Sequence, residues 1–423
     1  MRIKGMIGLM GAIGPIGLMR LIGLIGPMRL MGLIGLMALM GCSSEETIRT
    51  VESTMRPIAF ADAYTAQPTR SSKAYTAQPT RSSEAFTAIK GIPTGQSMGI
   101  YAYLHDATGA ATRDYTTCSP NFMWNQQATS QEEEEPFTYS PLKYWPNDED
   151  SKLSFIAYFP YTEETPGHTE SPAYPDNATG LRTLLTNSGT GLPTFLFTVK
   201  DEVADQVDFL VSQVAANLPQ SRDTEDNPHL PFNDLTITDR VPFVFKHMTA
   251  KVEFRIVADA EIRKDIVSFH LNTLNITNIF KDGKLTPSYA PATGETSYTW
   301  SNQTTKQDYP FTTYEPQLLM PQVIAADAMI NLDYEITFKS DGTTYHYVDG
   351  VPVADQDYTY SNTASIALKE MKLTGIDTPL EEWLPNHHYI YNIRLRANRI
   401  DFTGQVVEWG DTQDIEGIDI KDE

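Results

Sequence analysis

The sequence predicts an all-β protein of sandwich or barrel domains, and three observations predict it. Short alternating or β-branched runs follow one another with Pro and Gly in the gaps. No window of helical length sustains an i, i+3, i+4 apolar pattern. A polar loop rich in Asp, Asn and Pro, residues 217–234, splits the runs into two series. A chain of 423 residues, 41% of them apolar, has core enough for two ordinary domains and is neither a disordered chain nor a disulfide-stapled miniprotein. Its two cysteines, Cys42 and Cys118, are too few for a disulfide framework.

Residues 1–41 read as an export signal. Arg2, Lys4, Arg20 and Arg29 are the only charges before Cys42, and the apolar stretch 30–41 is 12 residues long. As a helix it would span about 18 Å, short of the ~30 Å bilayer core, which suits a signal-peptide h-region rather than a membrane span. The closing Leu39-Met40-Gly41-Cys42 resembles the lipobox of bacterial lipoproteins, where the cysteine is acylated, with palmitate among its chains, and becomes the new N-terminus. The resemblance implies an outer-membrane lipoprotein at the cell surface, anchored in lipid through Cys42. Ser43-Ser44-Glu45-Glu46 resembles the acidic tag that follows this cysteine in surface-exposed lipoproteins, and reads equally well as a solvated tether. Upstream, Met19-Arg20-Leu21 is echoed by Met28-Arg29-Leu30 in a nine-residue unit, which leaves Met1, Met19 and Met28 open as starts. Gly recurs at every third position from Gly5 to Gly17, but the register breaks at Arg20, Arg29 and Ala38 and only two prolines occur there, so a collagen triple helix is rejected.

Residues 42–84 form a tether with two features. In 57–64, Ile58, Phe60 and Tyr64 share one side of an extended chain, a strand candidate at the front of the fold. After it, the block from Ala63 to Ser72 recurs, beyond Lys73, from Ala74 to Ser83. Two copies of an 11-residue unit are too few for a solenoid, and Pro, Ser, Thr and Gln make it an exposed linker that presents Arg70 and Arg81 to solvent.

The body supplies the strands. The first series is 98–104, 121–125, 137–145, 153–159, 195–199 and 207–212, within an N-terminal domain expected over 85–235. The second is 241–257, 266–279, 318–320, 329–338, 364–368, 388–397 and 405–409, within a C-terminal domain expected over 236–423. Around a Pro-bounded turn, Tyr139, Leu142, Tyr144 and Trp145 offer large apolar area to a sandwich corner. Alternation in 241–252 sets His247 on the side of Phe243 and Phe245, as a hydrogen-bonded core residue rather than a metal ligand.

These residues carry a resemblance. Thr138-Tyr139-Ser140-Pro141-Leu142-Lys143-Tyr144-Trp145-Pro146-Asn147, followed by Leu153-Ser154-Phe155-Ile156-Ala157-Tyr158-Phe159-Pro160, resembles the signature of the Mfa-like, FimA-type fimbrillin lipoproteins of Bacteroides and its relatives. Phe245-Lys246-His247-Met248-Thr249-Ala250, Leu319-Met320-Pro321-Gln322, Trp383-Leu384-Pro385-Asn386 and Val406-Val407-Glu408-Trp409 match in order, so the likeness runs over residues 57 to 410. It implies two tandem transthyretin-like β-sandwiches, assembled with other fimbrial subunits by donor-strand exchange as stalk, tip or anchor of an adhesive fimbria, with a host or bacterial surface ligand as a further partner. It also implies that a trypsin-like protease cuts after an arginine to free the first strand. Arg70 and Arg81 lie just beyond that strand. Arg49 and Arg56 precede it, so a cut there would remove the lipid and leave the strand in place.

Chemistry is nearly absent from the sequence. There is no Gly-x-Ser-x-Gly elbow, Walker loop, His-Glu-x-x-His or Cys-x-x-Cys, and no cofactor or metal site is expected. His387 and His388 are neighbours, which in a strand face opposite ways. The acidic runs 132–135 and 147–150 lack a calcium-loop pattern and read as solvated loops. Cys118 reads as a small buried or turn residue. Without the first 41 residues the 32 Lys and Arg fall by four to 28 against 54 Asp and Glu, a charge of −26 that repels nucleic acid. Three classes remain. They are a fimbrial subunit, a glycan-binding surface lipoprotein of a polysaccharide-uptake system using Trp124, Trp300 or Trp383 as platforms, and a glycosidase, for which no motif nominates a carboxylate pair.

Overall fold

In the computed structural model the described residues are 57–65, 92–106, 118–132, 135–146, 151–163, 174–185, 189–219, 240–258, 266–301, 303–311, 315–339, 346–348, 351–353, 357–371, 379–395 and 400–408. They form 23 strands and two short 3-10 turns, with no α-helix among them.

Alternation of large apolar residues builds the first sheet. Its strands are β1 (Phe60–Thr65), β2 (Ser97–Asp106), β3 (Met123–Thr129) and β4 (Ser151–Phe159). Between β4 and the sheet's last members come β5 (Leu181–Thr183) and β6 (Phe195–Thr198), which belong elsewhere. The sheet is completed by β7 (Leu210–Ser212), β8 (Ala215–Pro219) and β9 (Val241–His247), in the order β1-β9-β7-β4-β2-β3 with β8 also on β4.

This sheet is buried on both faces, which explains why β4 reads as a near-continuous apolar run. On one face Tyr101, Tyr103, Ile156 and Tyr158 meet a second sheet, in which β5 and β6 are joined by β12 (Asp282–Ala290) and β13 (Glu295–Ser301) in the order β13-β12-β6-β5. Tyr158 and Phe195 lie 5.0 Å apart between their ring centroids, and Tyr101 Oη is 2.7 Å from Thr183 Oγ1 across the layers. On the other face Ile100, Ala102, Leu153 and Phe155 are covered by Phe60 and by Phe137, Tyr139 and Trp145.

The second sandwich begins after Met248 and Thr249. One layer holds β10 (Ala250–Ala258), β15 (Gln317–Leu319), β22 (His387–Leu395) and β23 (Ile400–Glu408). The facing layer holds β11 (Ile266–Phe280), β14 (Lys306–Pro310), β17 (Met329–Phe338) and β20 (Tyr358–Ala367). Two-stranded pairs close the set: β16 (Gln322–Val323) with β21 (Glu382–Trp383), and β18 (His346–Val348) with β19 (Val351–Val353). Period-two burial along β17 places Ile330, Leu332, Tyr334 and Ile336 inward, against Phe254, Tyr391 and Ile393 of the opposite layer.

Of the loop expected to divide the domains, 217–234, residues 220–234 lie outside the described residues. Pairing runs across residue 235 in both directions. β9 follows that point yet joins the first sheet, while β6, which precedes it, pairs with β12. Two local expectations change. The run 241–257 is two strands, broken where Met248 and Thr249 carry the chain between sandwiches. The segment 137–145 is no strand: it touches neighbours through the single bridges Thr129 to Thr138 and Pro57 to Tyr144. Pro141 and Pro146 lack the N–H a ladder needs, and the segment covers the sheet with Tyr139 and Trp145 while Leu142 and Tyr144 are each 41% exposed.

Candidate functional site

The site is the edge of the first sheet, where the chain enters the fold. The leading strand, expected at 57–64, is found as β1, paired in parallel with β9 and with nothing on its far side among the described residues. Phe60 lies opposite Val241, and after a bulge Ala63, Tyr64 and Thr65 lie opposite Phe243, Val244 and Phe245. The Val241 N–H donates to the Ala59 carbonyl at 2.8 Å.

Ahead of the strand, a different element grips residues 57 and 58. The Ile58 N–H donates to the Lys143 carbonyl at 2.9 Å, and the Tyr139 hydroxyl donates to the Ile58 carbonyl at 2.7 Å. Burial pushes the Tyr139 hydroxyl far above its ordinary pKa, so it stays a protonated donor at any physiological pH. Ile58 and Phe60 are wholly buried. The Phe60 ring sits 5.3 Å from Tyr139, 5.6 Å from Phe243 and 6.1 Å from Phe155, centroid to centroid. Burying such side chains stabilises by roughly 1.5–3 kcal/mol each, so the segment is a working part of the core and not a loose leader. Drawing it out would bare the β9 backbone and leave an apolar cleft between Tyr139, Phe155 and Phe243.

Cys42, Arg49, Arg56, Arg70 and Arg81 lie outside the described residues, as do 147–150 and most of the tandem repeat. Of the three tryptophans weighed as platforms, Trp383 is buried and its indole N–H donates to Tyr391 Oη at 2.8 Å. Trp300 is half-buried and donates to the Met248 carbonyl at 3.0 Å, and Trp124 is half-buried against the core. His247 is buried with Nδ1 2.8 Å from an Asp208 oxygen. His388 is buried with Nε2 2.9 Å from Glu253 Oε2, whereas His387 is half-buried with Nδ1 2.8 Å from the Pro385 carbonyl. Cys118 is half-buried against the core. Among the described residues no three His, Cys, Asp or Glu side chains gather as a metal set.

Sequence reasoning missed the grip of Tyr139 on Ile58. The two are 81 residues apart, and nothing in the sequence pairs them.

A family model described as fimbrillin-like matches residues 80–409. Among solved structures, a fimbrial protein from Bacteroides vulgatus ATCC 8482 is similar at 18% identity and a TM-score of 0.48, over 74% of this chain and 92% of that one. A fimbrilin from Porphyromonas gingivalis W83 is similar at 9% identity and 0.36, over 84% and 97%. The tip fimbrial protein Mfa3 from Porphyromonas gingivalis, truncated at its C-terminus, is similar at 12% and 0.29, over 75% and 95%. Among curated proteins none matches.

Proposed function

We propose that this chain, which belongs to the fimbrillin-like family, is a structural or accessory subunit of a cell-surface fimbria that joins its neighbours by donor-strand exchange and serves adhesion. The proposed order is export, acylation of Cys42, anchorage in the outer membrane, a cut after Arg70 or Arg81, and entry of a neighbour's strand where Ile58 and Phe60 had been. No catalysis is part of the role. The observation that carries the reading is the leading segment: Ile58 and the edge strand β1, first among the described strands, in which Ile58 and Phe60 complete the core and from which the sequence runs on directly to Arg70.

The glycan-binding alternative loses support with Trp383 buried and Trp300 packed against Phe197 and Phe209. The test is Arg70→Ala combined with Arg81→Ala in cells that assemble the wild-type chain. The variant should reach the surface acylated and fail to polymerise. Polymers equal to wild type would defeat the reading and leave the repeat as a spacer.

A further inference from the structure

Every open β-sheet has two edges, whose unpaired N–H and C=O groups invite a foreign strand unless charge, proline, a register shift or short length discourages it. Among the described edges, β14 carries Lys306, Asp308 and Pro310, β23 carries Asp401 and Glu408, and β13 opens on Glu295. β1 includes Asp62 and shifts register against β9, and β3 shifts against β2 and is bridged to Thr138. β8 ends on Pro219, and β5 and β15 are three residues long.

β20 has none of these guards. It is a ten-residue edge without charge, proline or glycine, and it pairs with β17 through ten rungs with no register shift. No described strand lies on its far side. Tyr358, Tyr360, Asn362, Ala364 and Ile366 stand on the side where Ile330, Leu332, Tyr334 and Ile336 of β17 are buried. Yet none of the five is itself buried, and Tyr360 is 42% exposed. The edge therefore offers unpaired backbone together with a row of incomplete inward contacts.

We propose that β20 pairs antiparallel with β20 of a second copy of this chain, joining the second sandwiches of two subunits side by side. The strand's self-complementarity selects the occupant. About a two-fold axis through Asn362, Tyr358 of one copy faces Ile366 of the other and Tyr360 faces Ala364, aromatic against aliphatic on the inward side. On the outer side Thr359 faces Ser365 and Ser361 faces Thr363, hydroxyl against hydroxyl. Such an axis, perpendicular to the sheet, keeps both inward rows on one side, so two four-stranded layers become one continuous layer.

Charge permits this contact in a chain of net charge −22. Behind β20, Asp333 and Glu335 lie opposite Thr363 and Ser361. The acids of the two copies would stand three strand spacings apart, about 14 Å, beyond the ~8 Å screening length at physiological salt. One strand pair is small beside the roughly 1,200 Å² or more of a stable complex, so each contact is weak, and a fimbria that repeats it along its length multiplies it.

Sedimentation of the full chain carrying Cys42→Ser, Arg70→Ala and Arg81→Ala tests the pairing. That chain has no lipid site and no repeat arginine to cut, so the result does not depend on release of β1. It should dimerise with a Kd on the order of 0.1 mM, and a chain still monomeric at about 1 mM would overturn the proposal. Adding Ser361→Lys with Thr363→Lys sets like charges directly opposite, as does adding Ser361→Glu with Thr363→Glu, and each should weaken the dimer about tenfold or more. Mixing the lysine form with the glutamate form should restore it, since opposite charges then face each other. Dimers that persist in both forms would place the contact on another face and overturn the proposal. Two weakened forms that fail to associate when mixed would overturn the pairing of β20 with itself.

Discussion

The Tyr139 hydroxyl reaches across 81 residues of sequence to the Ile58 carbonyl at 2.7 Å, and so ties the cover of the first sheet to the segment proposed to leave it. The bond is buried, the donor is held protonated by burial, and the same ring packs on Phe60. Two of the contacts that hold the segment, the hydrogen bond to Ile58 and the ring contact with Phe60, thus come from one side chain.

Tyr139→Phe should cost about 1–3 kcal/mol by leaving a buried carbonyl without its donor, while keeping the ring contact with Phe60. Phe60→Ala should cost about 3–5 kcal/mol, since it opens a cavity among Tyr139, Phe155 and Phe243. Denaturant midpoints measure both, and exchange of the Ile58 amide should quicken more than that of β22 amides in either variant. Equal effects at Ile58 and β22 would show global unfolding rather than loosening of the leading segment.

Acid should weaken the second sandwich through Glu253. Burial pushes this carboxyl up, but contacts with His388 and Arg255 outweigh it and hold the pKa below the ordinary 4.5. A folded pKa below the unfolded one gives stability that is present above about 4.5 and is lost as pH falls through the folded value. Glu253→Gln removes that increment. From about pH 5 to about pH 3 the wild-type denaturation midpoint should fall more steeply than that of Glu253→Gln, and parallel slopes would refute the assignment.

Much of this architecture was legible in the sequence because large apolar residues alternate without interruption. β17 spans 329–338 as its pattern implies, and β2, β4, β6 and β11 fall within a residue or two of their expected bounds. The hairpin of β12 and β13 was not legible. In 282–301 Leu285 is the one aliphatic side chain sunk in the core, and the strands are declared chiefly by a turn ending at Gly294 with φ 72°. The segment 137–145 misled for the opposite reason, since its aromatic density imitates a strand while Pro141 within it and Pro136 and Pro146 at its ends forbid one. At the site, Ile58 and Phe60 were readable as the apolar face of an extended run. The parallel pairing with β9 and the grip of Tyr139 depend on contacts distant in sequence, which local pattern does not encode.

Anchorage makes a separate prediction. Cells fed a clickable palmitate analogue should label the wild-type chain and not Cys42→Ser, and the variant should leave the detergent-extracted membrane fraction. Labelling of the serine variant would contradict acylation at Cys42.

The central claim is that the leading strand leaves after a cut in the repeat, and the N-terminal residue of the chain extracted from assembled surface polymer tests it most directly. The account predicts Ser71 or Ser82, the residues after Arg70 and Arg81. A mature N-terminus at Cys42, Thr50 or Pro57, any of which retains Ile58 and Phe60, would contradict it.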